Sequence, residues 1–163
     1  MGVSLRPAGP EDAGFLAEML GEAVAWRPGA PRPTPAEVLR RPGAGHYLTG
    51  WPRPSDRGVV AEADGGPVGA AWYRFLPATD PGYGYVADDI GEVTIAVRSG
   101  WRGRGVGGRL LVALVARARQ EGQPGLSLSV EAGNPARRLY EAAGFSELVV
   151  VGGAATMVRR LRP

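Results

Sequence analysis

Gly91 to Leu111, which reads GEVTIAVRSGWRGRGVGGRLL, constrains this chain more than any other stretch. Val93, Thr94, Ile95 and Val97 form a β-branched run between Gly91 and Ser99-Gly100, which predicts a short strand. Val106, Leu110, Leu114 and Ala118, with Leu111 and Val115 beside them, recur at helical spacing and predict an amphipathic helix. Between the two lies Arg102-Gly103-Arg104-Gly105-Val106-Gly107-Gly108. The first N–H groups of a helix have no helical partner and stand at the positive end of its dipole. Glycines let an anion approach those groups, and the arginines add fixed charge. The segment reads as a phosphate cradle, although turns of this composition also serve only to join elements.

Two named cradles compete for it. The Walker pattern fails, because no Gly-Lys-Ser/Thr follows. Gly103, Gly105 and Gly108 do match the G-x-G-x-x-G dinucleotide spacing after a strand, and Glu131 closes the next apolar strand. An NAD-dependent oxidoreductase is therefore one reading. Against it, that fingerprint sits at the first strand of a dinucleotide domain, and here it falls past the midpoint, behind several predicted strands.

The second informative stretch is Leu126 to Phe145, LSLSVEAGNPARRLYEAAGF. It predicts a strand, then Asn134-Pro135, a short helix carrying Leu139-Tyr140, and Gly144-Phe145 opening another strand. With both stretches in place, the chain resembles the GNAT superfamily of acyl-CoA N-acyltransferases. Arg102-x-x-Gly105-x-Gly107 is similar to that family's R/Q-x-x-G-x-G/A loop. Asn134, Ala136, Leu139-Tyr140 and Gly144-Phe145 are similar to its second block. The likeness is sharpest over residues 91–145 and extends in element order over almost the whole chain.

The resemblance implies transfer of an acetyl group from acetyl-CoA directly to a primary amine, with no metal and no covalent intermediate. It implies that the pantetheine arm lies along Ile95, Ala96 and Val97 as an added strand, with main chain near Val97 polarising the thioester. The pyrophosphate would rest on the main chain of Arg102, Gly103, Arg104, Gly105, Val106, Gly107 and Gly108. Asn134 and Ala136 would meet the coenzyme arm, and Tyr140 would protonate the departing thiolate. Glu92 is the first candidate for the base, with Asp88, Asp89 or water as alternatives. From the residues alone, Tyr140 also fits a core-edge aromatic, and Asn134-Pro135 also fits a helix cap. His46, on a glycine-rich loop far from both motifs, reads as a loop residue. A coenzyme-binding module without turnover remains the rival of another class.

Composition narrows the remaining classes. The 163 residues predict a single domain, 1–163. There is no cysteine and one histidine, which argues against a disulfide framework or an ordinary zinc site. The net charge is +3 and all 19 basic side chains are arginine, so the enzyme could not acetylate a lysine of its own. No arginine run with interleaved aromatics suggests nucleic acid. The cluster Arg98, Arg102, Arg104 and Arg109 suits a small polyanion instead. No apolar run suggests a membrane, and a cytoplasmic location is expected.

The rest of the chain predicts a strand at Val3–Arg6, a helix from Pro10 with Phe15, Leu16, Met19, Leu20, Ala23 and Val24 on its apolar face, and a second helix begun by the Thr34–Glu37 capping box. A hairpin follows across Asp64-Gly65-Gly66, and two strands close the chain near Ser146–Val151 and Ala155–Leu161. Two long loops, 43–56 and 77–89, with Trp26, Trp51, Trp72, Tyr73, Arg74, Tyr83 and Tyr85, would wall the acceptor pocket. The expected fold is mixed α/β: a mostly antiparallel sheet of six to seven strands with about four helices on its faces. Pairing through the last strands would allow a homodimer.

Overall fold

A computed structural model describes residues 2–162 and contains one mixed sheet of seven strands with four α-helices. The strands are β1 (Ser4–Pro7), β2 (Arg57–Ala63), β3 (Gly66–Arg74), β4 (Gly91–Val97), β5 (Gly125–Glu131), β6 (Ser146–Val151) and β7 (Ala154–Arg160). The helices are α1 (Ala13–Val24), α2 (Pro35–Arg40), α3 (Val106–Gln120) and α4 (Ala136–Ala142). In space the strands run β1-β2-β3-β4-β5-β7-β6. Every neighbouring pair is antiparallel except β4–β5, which α3 joins as a crossover.

Local signals account for most boundaries. Thr34 Oγ1 accepts from Glu37 N–H while Glu37 Oε1 accepts from Thr34 N–H, so the capping box fixes the start of α2. Asp64 and Gly65 both take positive φ, 51° and 80°, which is the left-handed pair that a tight hairpin turn needs.

The helices cover opposite faces. Leu16, Ala17, Met19 and Leu20 of α1 with Val38 of α2 pack on Val60, Ala70 and Trp72. Val106, Leu110, Leu111 and Leu114 of α3 pack on Ala71, Tyr73, Val93 and Leu126. Strand β6 is different, because Leu148, Val149, Val150 and Val151 are 47–64% exposed along the sheet edge. Among the described residues, no helix is long and apolar enough to cross a membrane.

Three expected pocket-wall residues turn out to be structural. Trp72 is fully buried and donates to Tyr47 O at 2.9 Å. Arg74 is 1% exposed, pairs with buried Asp56 at 2.7 Å, and donates to the carbonyls of His46, Leu48 and Thr49. Tyr73, also fully buried, points into the α3 core. Arg74 thus pins the 43–56 loop from beneath.

Removing one partner of a buried pair leaves the other charge uncompensated. Asp56→Ala is expected to lower stability by about 3–5 kcal/mol, read from urea unfolding. A loss below about 1 kcal/mol would mean that the carbonyls alone satisfy Arg74.

Candidate active site

Strands β4 and β5 touch only at Gly91–Leu126 and Glu92–Ser127. Beyond that point β4 stays with β3 through Val97–Gly69, and β5 stays with β7 through Glu131–Ala154. The sheet therefore splits. Arg98 N–H bonds Val68 O at 2.8 Å, which sets the phase of the antiparallel ladder. Residues 92, 94 and 96 turn their main-chain groups to β3, and Ile95 and Val97 turn theirs into the split. This differs from the expectation for Ala96, whose main chain is spent on the Ala70 pair. The carbonyl of Val97 is occupied by Arg102 Nε at 3.1 Å.

The chain runs from this open edge into α3. Gly103 and Gly105 adopt φ of 74° and 79°, a backbone that side chains resist. No side chain caps α3, and the first main-chain donor of its start to find a carbonyl is Arg109, on Gly105 O at 3.2 Å. Among the described residues the N–H groups of Gly103 to Gly108 donate to nothing in the protein. A Cβ on Gly107 would stand 3.2 Å from Leu139, so this glycine sets how closely α3 approaches α4. Asn134 Oδ1 accepts from Ala136 N–H at 3.0 Å and opens α4, leaving its side-chain NH2 free to reach outward.

The arginine cluster departs from expectation. Arg98 is held by Glu18 at 2.7 Å, Arg102 by Glu22 at 3.1 Å, and Arg109 donates to Val3 O at 2.7 Å. Among the described residues only Arg104 of this group, stacked 4.7 Å over Trp101, makes no side-chain hydrogen bond or ion pair. What this turn could offer an anion is therefore mainly its main chain and the helix dipole.

Tyr140 lies on α4, 8% exposed, edge-on to Phe145 with ring centroids 6.4 Å apart. Burial pushes its phenol up to about 12. Among the described residues its hydroxyl makes no hydrogen bond.

Glu92 lies at the vertex of the split and is 2% exposed. The 77–89 loop roofs it. Ser127 Oγ donates to Gly84 O at 2.7 Å, and Thr156 Oγ1 donates to Tyr83 O at 3.5 Å. A Cβ on Gly82 would overlap Glu92 Oε2, so only glycine fits that roof. The Tyr47 hydroxyl lies beside the same oxygen and accepts from Tyr83 N–H at 2.8 Å. Glu92 Oε1 is buried with no partner. Burial raises its pKa, more than Tyr47, the loop N–H groups and the His46 charge lower it. The other candidate acids are exposed, and Asp88 accepts from Tyr85 Oη and Ala78 N–H. His46, by contrast, packs its ring 4.6 Å from that of Tyr47, whose hydroxyl lies at the Gly82–Glu92 contact, a placement its position in the sequence gave no sign of. Trp26 and Arg27, between α1 and α2, both bind Glu131 at the far end of β5.

The sequence model described as the acetyltransferase (GNAT) family matches residues 18–145, well over half of the chain. No curated protein matches the sequence. Among solved structures, YncA of Salmonella typhimurium, in complex with its cofactor acetyl-CoA, superposes with a TM-score of 0.74. That likeness is at 20% identity over 100% of this chain and 96% of that one. A ribosomal-protein-alanine N-acetyltransferase of Brucella melitensis gives 0.70 at 25% identity, over 97% and 99%. The aminoglycoside acetyltransferase AAC(6')-Ib, in complex with coenzyme A, gives 0.65 at 25% identity, over 98% and 95%.

Glu92 offers a direct test of this geometry. With its pKa raised, the folded protein holds that proton more tightly than the unfolded chain does. Stability therefore falls as pH rises from the ordinary carboxylate range through the raised value. Glu92→Gln is expected to match wild type near pH 4 and to exceed it at pH 7 in urea unfolding. A wild type more stable at pH 7 would show a carboxylate satisfied by its surroundings.

Proposed function

Because the chain belongs to the acetyltransferase (GNAT) family, we propose that it moves an acetyl group from acetyl-CoA directly to a primary amine, residues 1–163 acting as one unit. The observation that carries this reading is the split after Glu92–Ser127, continuous with a run of unpartnered N–H groups at the start of α3. A thioester-bearing arm ending in a diphosphate needs both features, an open strand edge and a donor-rich helix start. The relatives solved with acetyl-CoA and with coenzyme A support the same ligand.

Coenzyme A is an adenine nucleotide joined through a diphosphate to the thiol-bearing pantetheine arm. Its pyrophosphate fits against the N–H groups of Gly103 to Gly108. Arg102 and Arg104 contribute main chain there and matter less as side chains. Ile95 and Val97 face the arm, and the free amide of Asn134 with Ala136 meets it from α4. The Val97 N–H supplies the donor for the thioester oxygen, an interaction that typically contributes about 3–4 kcal/mol as charge develops.

Tyr140 faces the sulfur in this reading. A phenol near 12 gives its proton uphill to a thiolate whose acid is near 8.5. Its contribution is thus a hydrogen bond that strengthens as the C–S bond breaks, completed when the nitrogen gives up a proton. The acceptor arrives as an ammonium and must lose a proton before it attacks. Glu92, 2% exposed, takes that proton through a water at Oε1. Uncovered β6 supports a second copy of the chain along that edge, since exposed apolar edge strands are otherwise aggregation sites.

Three measurements test the reading. Thiol release from acetyl-CoA across an amine panel should appear only with amines present; coenzyme binding without release on any amine would leave a binding module. Tyr140→Phe should cut kcat about 100-fold with the KM for acetyl-CoA little changed, and wild-type activity should show no alkaline loss from this phenol below about pH 11. Val150→Glu should convert a dimer to a monomer in sedimentation velocity; a wild-type monomer would refute the pairing.

A further inference from the structure

His46 is the only histidine in the chain and sits on a 3-10 turn, Gly45–Tyr47. Its carbonyl accepts from Arg74 at 3.1 Å, and Arg74 is itself locked by Asp56, so the turn is rigidly placed. The ring packs edge-on to Tyr47, with centroids 4.6 Å apart. Nδ1 lies 3.0 Å from Asp80 Oδ1 on the roofing loop. A carboxylate can only accept there, so Nδ1 carries the proton and Nε2 of the neutral ring is left as an acceptor. Nε2 is buried and has no partner.

The pocket therefore holds two buried acceptors without donors, Nε2 of His46 and Oε1 of Glu92. They do not bond each other, but Arg74, directly across from Glu92 in the β3–β4 ladder, donates to the His46 carbonyl, and the Tyr47 ring packed on the imidazole carries its hydroxyl to the Gly82–Glu92 contact, so both acceptors lie on one side of the sheet. A buried acceptor left empty is costly, and more so when it is charged. A donor belongs between them. Asp80, by contrast, is 65% exposed at its carboxylate and opens to solvent.

We propose that the Asp80–His46 pair is a proton exit for this site, relaying the acceptor's proton from Glu92 to bulk water. The inference rests on the acetyl-transfer reading above. The balance is simple. An ammonium acceptor loses two protons as the C–N bond forms and the C–S bond breaks. One completes the thiol of coenzyme A, and Tyr140 ends the cycle protonated as it began. The other passes from nitrogen to Glu92, then by water to His46 Nε2, and leaves beside Asp80. His46 touches neither the thioester nor the sulfur, so it acts through Glu92 as a positioning residue for the proton.

The test is His46→Ala assayed by thiol release from acetyl-CoA with the best amine of the panel, with and without added imidazole. The expected result is a fall in kcat of about 100-fold, an unchanged KM for acetyl-CoA, and recovery of at least tenfold with imidazole. Asp80→Asn should lower kcat in the same direction by a smaller factor. Full activity in His46→Ala, or a loss that imidazole does not relieve, overturns the relay while leaving acetyl transfer standing. A wild type that binds acetyl-CoA and never releases thiol overturns the transfer reading, and the relay with it. A second readout needs no turnover. The 15N shifts of the one imidazole should report the Nδ1–H tautomer at neutral pH, and an Nε2–H tautomer refutes the relay.

Discussion

Strand β4 cannot be paired on both sides along its length, and the candidate site follows from that. Its alternate main-chain groups are claimed by β3 up to the Val97–Gly69 pair. On the other side β5 is claimed by β7 over all seven of its residues, so it follows β7 and leaves β4 after Glu92. The N–H groups of Ile95 and Val97 and the carbonyl of Ile95 are thereby left facing a gap, while Arg102 holds the Val97 carbonyl. Unmade hydrogen bonds of this kind are costly when dry, so the gap persists as a place for water or for a ligand with strand-like polar spacing. Because α3 begins a few residues later without a cap, a second set of unpaired donors is contiguous with the first. One stretch of chain presents both halves of an extended, diphosphate-ended ligand site.

Charge is handled less simply than the arginine count implies. Arg98 and Arg102 approach the cradle but are committed to Glu18 and Glu22 on α1. Glu22 is 8% exposed and also accepts from Arg32 at 2.7 Å. That one carboxylate links the α1–α2 connection to the glycine-rich turn that opens α3. Arg102 adds a further tie by holding the Val97 carbonyl. These contacts fix the geometry of the split more than they supply field for an anion. Surface ion pairs are individually weak, but the 9% exposed Glu22 side chain between two guanidinium groups stands on firmer ground.

The parts of this arrangement that depend on neighbouring residues were legible in the sequence. The β-branched run, the glycine-rich turn, the Thr34–Glu37 box and the Asp64-Gly65 turn each act within a few residues, and each appears where its chemistry places it. Parts that depend on distant partners were not legible. Nothing near Arg98 announces Glu18, eighty positions away. Nothing near Trp72 or Arg74 distinguishes a pocket wall from a buried pin, because strand alternation gives the face and not its cover. His46 is the clearest case. Its turn is short and glycine-flanked, and only the Arg74 network, acting on its carbonyl, brings the ring towards Glu92. A buried arginine in a strand that ends beside a polar loop was the available signal.

The surroundings of Glu92 combine a rigid wall with a lightly held roof. The wall consists of β3 and β4 paired residue for residue, with Arg74 satisfied by Asp56 and three carbonyls. The roof, residues 77–89, is attached mainly by single bonds from Ser127, Thr156 and Tyr47 to its main chain. None of these attachments is a strand pairing, and Gly82 of the roof lies against Oε2 of Glu92. Native cores rarely retain an unsatisfied buried carboxylate, because a small shift or a single substitution would relieve it. Oε1 of Glu92, beneath a glycine whose added Cβ would meet the same carboxylate, is therefore where a water or another donor would be accommodated.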